Sequence, residues 1–284
     1  KPKISAEELL KIVGEYDAIL VRSRTRVTKD ILQAAGRLKV VGRAGVGLDN
    51  IDVESAKQRG VQVVSTPEAS TSSVAELTIG LMLGVLRQIG YGDRSSKEGK
   101  WVKASITGRE LKGKTVGVIG VGGRIGSEVA RILKVGFGCN VAGYDVIDVK
   151  KRAAELGIQT TERVDDLLAK SDIVTVHVPY LESTHHLLNP DRISMMKKGS
   201  ILINTSRGDV VDGKALFDSL RTGHLGGAGL DVYHDEPPKE DWERQLVSLP
   251  NTLCTPHIGA QTEECQSSGS LMAAQKLMEI LKSK

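Results

Sequence analysis

Residues 115–126 read TVGVIGVGGRIG, and this stretch decides the fold of the chain. The run from Thr115 to Ile119 is rich in β-branched and apolar residues and predicts a buried strand. The glycines after it predict a tight turn into a helix, because glycine lets the backbone bend sharply and approach a ligand closely. A strand, a glycine-rich turn and a helix together indicate the start of a βαβ unit.

The glycine-rich turn is typical of a pyrophosphate site, because the N-terminus of a helix favours negative charge. Asp145 lies nineteen residues beyond Gly126, at the end of the next predicted strand. A carboxylate there can accept from both ribose hydroxyls and repel a 2′-phosphate, which indicates NAD rather than NADP. A strand, turn and helix without a ligand is the alternative. The predicted cofactor-binding residues of this segment are Gly120, Gly122, Gly123, Arg124, Ile125, Gly126 and Asp145.

The spacing of these glycines departs from the usual fingerprint by one residue. Gly126 falls four residues after Gly122, whereas the fingerprint places its third glycine three residues after the second. We expect the longer turn to loosen the pyrophosphate contacts or to lower the affinity for the cofactor.

Short β-rich runs alternate with helical periodicity along most of the chain, which predicts βαβ units around parallel sheets and therefore an α/β fold. Two helix starts can be read directly. Ser5 and Glu8 form a capping box, and Asp212 precedes a helix over 214–221 as its N-cap. The predicted strands are Ala18–Val21, Lys39–Gly42, Val61–Val64, Thr115–Ile119, Asn140–Tyr144, Ile173–Val178, Ser200–Asn204 and Gly227–Val232.

The order of the predicted elements favours two domains. A helix-like segment over 72–89 and a polar stretch over 92–114 separate the first three strands from the others. We expect the polar stretch to be the crossover between the two domains. A last helical segment, over 263–281, can return to the first domain. The predicted domains are 1–73 with 260–284, and 74–259 with the cofactor site.

Composition excludes several functional classes. The net charge of +4 is spread over 39 basic and 35 acidic residues, and only two Trp, five Tyr and two Phe occur, so we expect no nucleic-acid partner. The three cysteines lack paired or metal-type spacing, which predicts a reducing, cytoplasmic location. The apolar run over 77–86 is interrupted and short, and no signal peptide opens the chain, so we expect no membrane partner.

Three residues of the last third of the chain form a candidate catalytic set: Arg207, Glu236 and His257. Oxidising a 2-hydroxy acid needs a cation on the carboxylate and a base for the hydroxyl proton. Arg207 can bind a carboxylate bidentately, and His257 can act as the base near neutral pH. A buried Glu236 bonded to His257 would raise the pKa of the imidazole. Singly, these residues could be a surface ion pair, a turn residue and a structural histidine.

The other histidines and the cysteines predict no metal site. His185 and His186 are adjacent, which is a poor arrangement for chelating one ion from a helix or a strand, and we interpret them as loop residues. His177 ends a predicted strand and is expected beside the cofactor rather than in catalysis.

The glycine-rich turn followed by this trio resembles the D-isomer-specific 2-hydroxyacid dehydrogenase family over nearly the whole chain. The resemblance implies a Rossmann-type NAD-binding domain and a smaller flavodoxin-like substrate-binding domain, in which a first strand would precede Lys1 and is missing here. It also implies a homodimer or a higher homo-oligomer through the cofactor domain. By this resemblance, further cofactor-binding residues are Pro179 and Thr184 on the adenosine side, and Thr205, Ser206 and Asp231 near the nicotinamide.

Residues 21–25, 42–52 and 99–101 resemble members of the family that oxidise D-3-phosphoglycerate to 3-phosphohydroxypyruvate, the entry to serine. A phosphorylated acid carries about three negative charges, so its pocket should collect cations. The resemblance implies a small-molecule substrate, a phosphorylated 2-hydroxy acid. Its carboxylate would lie on Gly45, Val46 and Gly47, and its phosphate near Arg22, Ser23 and Arg43.

Three alternatives stay open at this point. The same trio would serve a hydroxypyruvate or glyoxylate reductase, and some members of the family are NAD-sensing corepressors. Arg22 and Arg43 could also be solvated strand ends. Glu68, in the loop 65–70, departs from the phosphoglycerate-type pattern, and its carboxylate could repel a phosphate.

Overall fold

The computed structural model describes residues 4–283. The chain divides into two compact units. The smaller unit comprises residues 1–73 and 260–284, and the larger unit comprises residues 74–259. Both are built from parallel strands and helices, so the α/β prediction is confirmed.

The smaller unit contains a parallel sheet of three strands in the order β1-β2-β3. Apolar residues of the strands and helices pack into its core, including Val13, Leu32, Val41 and Ala56. The predicted strands are correct within one residue at each end. The elements of this unit are α1 Ala6–Ile12, β1 Ala18–Val21, α2 Lys29–Ala34, β2 Val40–Arg43, α3 Val53–Gln58, β3 Gln62–Ser65 and α12 Glu263–Lys282, and α4 Thr71–Leu86 begins here.

Two helices of the smaller unit begin at residues whose side chains cap the helix N-terminus. The capping box of Ser5 and Glu8 forms as predicted at α1. Thr262 caps α12, whose predicted span was one residue shorter at its C-terminal end. This helix lies directly on β2, because a Cβ at Gly42 would come within 3.0 Å of Leu277.

The larger unit is a parallel sheet of seven strands in the order β10-β9-β8-β7-β4-β5-β6. The sequence did not predict β6 or β10, which are two and three residues long. The elements that follow α4 are α5 Ile89–Lys97, β4 Thr115–Ile119, α6 Arg124–Arg131, β5 Asn140–Tyr144, α7 Lys150–Leu156, β6 Gln159–Thr160, α8 Val164–Lys170, β7 Ile173–Val176, α9 Pro190–Met195, β8 Ile201–Asn204, α10 Gly213–Arg221, β9 Gly227–Leu230, α11 Asp241–Ser248 and β10 Thr252–Cys254.

The crossover between the units lies within α4 and not in the polar stretch over 92–114, which belongs to the larger unit. The predicted helix over 72–89 is two helices, because Gln88 adopts a left-handed conformation with φ 53° between α4 and α5. Asp212 caps α10 as predicted.

One helical segment of the described chain, Pro67–Leu86, has the length and apolar composition to cross a membrane, contrary to the sequence prediction that this region is too short. Of its most apolar window, 56% is buried inside the structure. Ala75, Ile79 and Met82 lie in the core of the larger unit. The segment therefore has the character of a core helix.

The topology of the larger sheet indicates where a ligand-binding site would lie. Parallel strands bring their carboxyl ends to one edge, and ligands bind where the strand order reverses. In this sheet β4 lies between β7 and β5, so the order reverses at the strand that precedes the glycine-rich turn. Arg207, Glu236 and His257 follow β8, β9 and β10, which are neighbours in the same sheet.

Candidate active site

His257 and Glu236 form a hydrogen-bonded pair in the larger unit. The distance between His257 Nδ1 and Glu236 Oε2 is 2.6 Å. The predicted contact is therefore made, but the prediction of a buried Glu236 is wrong. The side chains of His257 and Glu236 are 46% and 39% exposed, because both lie on loops beyond the ends of their strands. The pair is accessible to a substrate.

The pKa of His257 is raised above its ordinary value of 6.5, first by the hydrogen bond to Glu236 and then by the negative charges of Glu236 and Asp231. Partial burial and the positive charge of Arg207 act in the opposite direction. A raised pKa means that His257 keeps a proton to a higher pH than a free imidazole does.

Asp231 holds the turn that carries His257. Its side chain is 1% exposed, and its carboxylate accepts from the backbone amides of Ile258 and Gly259, both at 2.8 Å, and from the hydroxyl of Thr255 at 2.6 Å. These bonds support a strained residue, since His257 has φ 52°, in the left-handed region that non-glycine residues rarely adopt. The predicted nicotinamide contact of Asp231 stays a prediction.

Asn204 organises the segment that carries Arg207. Its Oδ1 accepts from both the amide and the hydroxyl of Ser206 at 3.0 Å, and its Nδ2 donates to the carbonyl of Arg207 at 2.9 Å. The guanidinium of Arg207 donates to the carbonyl of Ser206 at 2.6 Å. Thr205 is buried, and its hydroxyl lies 2.9 Å from that of Thr78. The predicted cofactor contacts of Thr205 and Ser206 are untested.

Close packing ties the Arg207 segment to the Glu236 segment. A Cβ at Gly208 would overlap the carbonyl of Tyr233, so only glycine fits there. His234 and Asp209 form a second imidazole–carboxylate pair between the same two segments, which raises the pKa of His234. Sequence reasoning missed these contacts, although Asp209 and His234 lie within two residues of Arg207 and Glu236.

The glycine-rich turn has the geometry of a dinucleotide cradle. Gly120 has φ 87°, and a Cβ at Gly126 would overlap the carbonyl of Gly120. Gly123 is the N-cap of α6 and has no side chain to cap the helix. No cap side chain therefore occupies the first backbone amides of α6, which can bind an anion. These residues fit a pyrophosphate.

The extra residue of the turn is absorbed locally. The amide of Gly123 donates to the carbonyl of Gly120 at 3.1 Å and closes the turn. The amide of Gly122 donates to Asp145 Oδ2 at 2.8 Å. Asp145 is thus held against the turn at the end of β5, which is the position that its predicted ribose contact requires.

The loop that follows β7 is closed by its own side chains. The hydroxyl of Thr184 donates to the carbonyl of Pro179 at 2.7 Å and accepts from the amide of Leu181 at 2.8 Å. The predicted adenosine contacts of Pro179 and Thr184 remain predictions. His177 Nε2 lies 2.9 Å from the hydroxyl of Thr175, and burial lowers the pKa of His177 to about 3, so the ring is neutral.

The rings of His185 and His186 stack with centroids 3.9 Å apart, in the loop that the sequence predicted for them. Within residues 4–283, no group of three or more His, Cys, Asp or Glu side chains could hold a metal ion.

In the smaller unit, the charges of two arginines act on one thiol. Burial raises the pKa of Cys265, and the positive charges of Arg22 and Arg43 oppose that rise. Arg22 Nη1 donates to Gln266 Oε1 at 3.1 Å, while Asn50 Nδ2 donates to the carbonyl of Arg22 at 2.8 Å. The predicted phosphate residues Arg22 and Arg43 lie at the carboxyl ends of neighbouring strands, since Arg43 pairs with Val21 in the register of β1 and β2, and Ser23 follows Arg22 on the exposed loop after β1.

The glycine segment after β2 is fixed by Thr66. The amide of Gly45 donates to Thr66 Oγ1 at 2.9 Å. Because that amide is already used, the predicted contact with a substrate carboxylate would be made by the amides of Val46 and Gly47. Glu68 lies 3.4 Å from Lys276 Nζ. Its charge is therefore partly neutralised, which weakens the repulsion of a phosphate that the sequence suggested.

Comparisons with known proteins agree with this geometry. A sequence model described as "D-isomer specific 2-hydroxyacid dehydrogenase, NAD binding domain" matches residues 79–259. D-3-phosphoglycerate dehydrogenase of Methanocaldococcus jannaschii is 43% identical over 98% of this chain and 52% of that protein. Hydroxypyruvate reductase of Thermotoga maritima is 44% identical over 98% of this chain and 89% of that protein.

A solved structure, D-lactate dehydrogenase from Aquifex aeolicus complexed with NAD and lactic acid, has a TM-score of 0.86 and 33% identity, covering 96% of this chain and 85% of its own. The chain belongs to the D-isomer-specific 2-hydroxyacid dehydrogenases, a family of NAD-dependent oxidoreductases. It spans about half the length of the phosphoglycerate dehydrogenase relatives that it matches.

Proposed function

We propose that the protein oxidises D-3-phosphoglycerate to 3-phosphohydroxypyruvate with NAD, the first step of serine biosynthesis. The observation that supports this substrate is that Arg22 and Arg43 lie at the carboxyl ends of the neighbouring strands β1 and β2 in the smaller unit. Two guanidinium groups suit a phosphate, because each can bind its oxygens through charge-assisted hydrogen bonds. The smaller unit would then be the substrate-binding domain.

The larger unit supplies the groups for the proton transfer. Arg207 would bind the carboxylate of the substrate and polarise the oxygen on C2. The Nδ1 atom of His257 is bonded to Glu236, so Nε2 would accept the hydroxyl proton as the C2 oxygen becomes a carbonyl. Glu236 would stabilise the imidazolium that forms. When bound at the turn 120–126, NAD supplies the acceptor for the hydride that leaves C2.

A substrate panel tests this function in the reductive direction. NADH oxidation would be measured at neutral pH with 3-phosphohydroxypyruvate, hydroxypyruvate and glyoxylate at matched concentrations. We expect a clear preference for the phosphorylated acid in kcat/KM. A preference for either unphosphorylated acid would overturn the proposed substrate, while NADH binding without turnover of any acid would favour an NAD-sensing role.

A hydroxypyruvate or glyoxylate reductase is the second candidate, and one feature of the smaller unit favours it. Arg22 lies in an open groove that is also lined by Glu263 and Glu264. Two carboxylates beside the guanidinium would disfavour a phosphate by like-charge repulsion. The Thermotoga maritima hydroxypyruvate reductase also matches this chain over most of its own length.

A homodimer or higher homo-oligomer in the cytoplasm completes the proposal. Trp101 is 86% exposed and Ile89 is 55% exposed, both in the larger unit. Aromatic side chains such as that of Trp101 are enriched at protein interfaces, so we propose that this residue takes part in the contact. Sedimentation equilibrium at micromolar concentration would test assembly, and a monomer would contradict it. The free thiols of the three cysteines are consistent with a reducing compartment.

A further inference from the structure

A buried carboxylate lies on α11, the helix that follows the loop of Glu236 along the chain. Glu243, on α11, is 2% exposed, and buried carboxylates are costly unless they are hydrogen-bonded. It accepts three backbone N–H bonds: from Asp235 at 2.9 Å, from Lys239 at 3.0 Å and from Glu240 at 3.1 Å. Both of its oxygens are therefore used to hold the backbone of residues 235–240.

The segment that Glu243 holds contains Glu236. One of the three bonds ends at Asp235, directly before Glu236, and the other two end at Lys239 and Glu240 beyond it. Glu236 Oε1 accepts from the amide of Tyr233 at 3.3 Å, a weak bond, while Oε2 lies 2.6 Å from His257 Nδ1. The backbone position of Glu236 is thus set on both sides by Glu243.

A small cavity lies beside the residues that flank this segment. The cavity has a volume of about 30 Å³ and is lined by Tyr233 and His234, which precede the segment, and by Trp242 and Glu243, which follow it. This volume could accommodate about one water molecule, so packing does not enclose Glu243 on every side. The hydrogen bonds of Glu243 therefore restrain where Glu236 lies, together with the bonds of Glu236 to Tyr233 and His257.

We infer that Glu243 is a positioning residue, which holds the segment 235–240 so that Glu236 stays in hydrogen-bond contact with His257. This inference rests on the proposed function only for its effect on turnover. The charged groups that act on the pKa of His257 are Glu236, Asp231 and Arg207. The hydrogen bonds of Glu243 end on the segment 235–240, and its charge acts on His234, so we expect its effect on His257 to pass through Glu236.

The test measures the pKa of His257 directly, by NMR titration of its imidazole in the intact protein, with the signal assigned by its loss in His257→Ala. In Glu243→Gln, one of the two accepting oxygens is replaced by an NH2 group, which cannot accept a hydrogen bond. At least one backbone N–H bond to Glu243 is then lost, and the segment 235–240 is released. We expect the pKa of His257 to fall in this variant, in the same direction as in Glu236→Gln. Asp241→Asn is the matched control, because Asp241 lies on the same helix with an exposed side chain that pairs with Arg244.

A second pair of variants removes one bond without altering the buried carboxylate. Glu240 has φ −72°, which proline can adopt, so Glu240→Pro deletes one N–H donor to Glu243. Glu240→Ala removes the same side chain but keeps the N–H. We expect a lower pKa of His257 in Glu240→Pro than in Glu240→Ala. This comparison applies even if Glu243→Gln does not fold.

Turnover separates this inference from the proposed function. We expect Glu243→Gln to bind NADH as the parent does and to lose about tenfold to a hundredfold in kcat, as a misplaced catalytic pair would. An unchanged pKa of His257 in Glu243→Gln and in the Glu240 pair would overturn the inference, whatever the parent protein turns over. Absence of turnover in the parent, with the predicted pKa changes present, would overturn only the proposed function.

Discussion

The two units hold their proposed functional residues in different ways. In the larger unit, Glu236 and His257 lie on loops whose backbones are bonded by buried polar side chains, chiefly Asp231 and Glu243. In the smaller unit, Arg22 lies on an exposed loop, and its guanidinium donates to the side chain of Gln266, which is half-buried. The residues proposed for proton transfer are thus held by buried hydrogen bonds, whereas Arg22, which is proposed to select the substrate, is held by fewer.

This difference matches the two tasks that we propose for the two units. Proton transfer requires groups within hydrogen-bond reach of each other, so its residues must be fixed by their surroundings. Phosphate recognition depends on summed charge, and solvent screens exposed charges. Substitutions in the larger unit should therefore affect every substrate, and those in the smaller unit should affect one class of substrate.

The largest effect is expected for His257→Ala. Removing a general base costs typically about a hundredfold to ten-thousandfold in rate, so kcat should fall by that order for all 2-oxo acids. NADH should still bind, because the glycine-rich turn is untouched. Steady-state kinetics and fluorescence titration of NADH check both expectations. Near-normal turnover would remove His257 from the mechanism.

Arg207→Ala should have the next largest effect, about 2.7–4 kcal/mol of transition-state stabilisation, by analogy with the loss of one oxyanion donor. Arg207→Lys is the matched control, because it keeps the charge and loses the bidentate fork. We expect the lysine variant to recover part of kcat/KM. Equal activity of the alanine variant and the parent would contradict the assignment.

Arg22→Gln should act on one substrate class. A hydrogen bond to a charged group contributes about 1.5–3 kcal/mol, so kcat/KM for 3-phosphohydroxypyruvate should fall about tenfold to a hundredfold, with glyoxylate unaffected. Arg24→Gln, in the same exposed loop, is the control. If both acids lost activity equally, Arg22 would be a structural residue and the contrast between the units would fail.

Asp145→Ala should have the smallest effect, a change in cofactor choice. Each lost hydrogen bond from the ribose to this half-exposed carboxylate is worth about 1.5 kcal/mol, the low end for a charged acceptor, so the preference for NADH over NADPH should fall about tenfold per bond. Asp148→Ala, three residues further on in the same loop, is the control. Unchanged discrimination by Asp145→Ala would show that the ribose lies elsewhere.

The strands of the sheet centres could be predicted because long apolar runs carry a strong local pattern. The strands β6 and β10 could not, since two or three residues carry no periodicity. The end of α4 depends on the left-handed backbone of Gln88, which its residue type does not indicate. The sequence therefore predicted most of the helices and strands, but it did not predict the short strands β6 and β10 or the break between α4 and α5.

The candidate site shows the same limit. Arg207, Glu236 and His257 could be proposed from the sequence, because each follows a strand-like run and has a side chain suited to the chemistry. Asp231 and Glu243 act through backbone amides, and no spacing rule indicates which amides a carboxylate will meet. Glu236 was expected to be buried, but a hydrogen bond of 2.6 Å forms at a half-exposed position.

The proton-transfer pair is the central claim, and the pH dependence of kcat/KM tests it most directly. In the reductive direction His257 must be protonated, so the rate should fall as pH rises through the pKa of His257, which Glu236 holds above its ordinary value of 6.5. The measurement compares the parent with Glu236→Gln, using the best 2-oxo acid. The account predicts that this limb moves to lower pH in the variant. An identical limb in both proteins would contradict it.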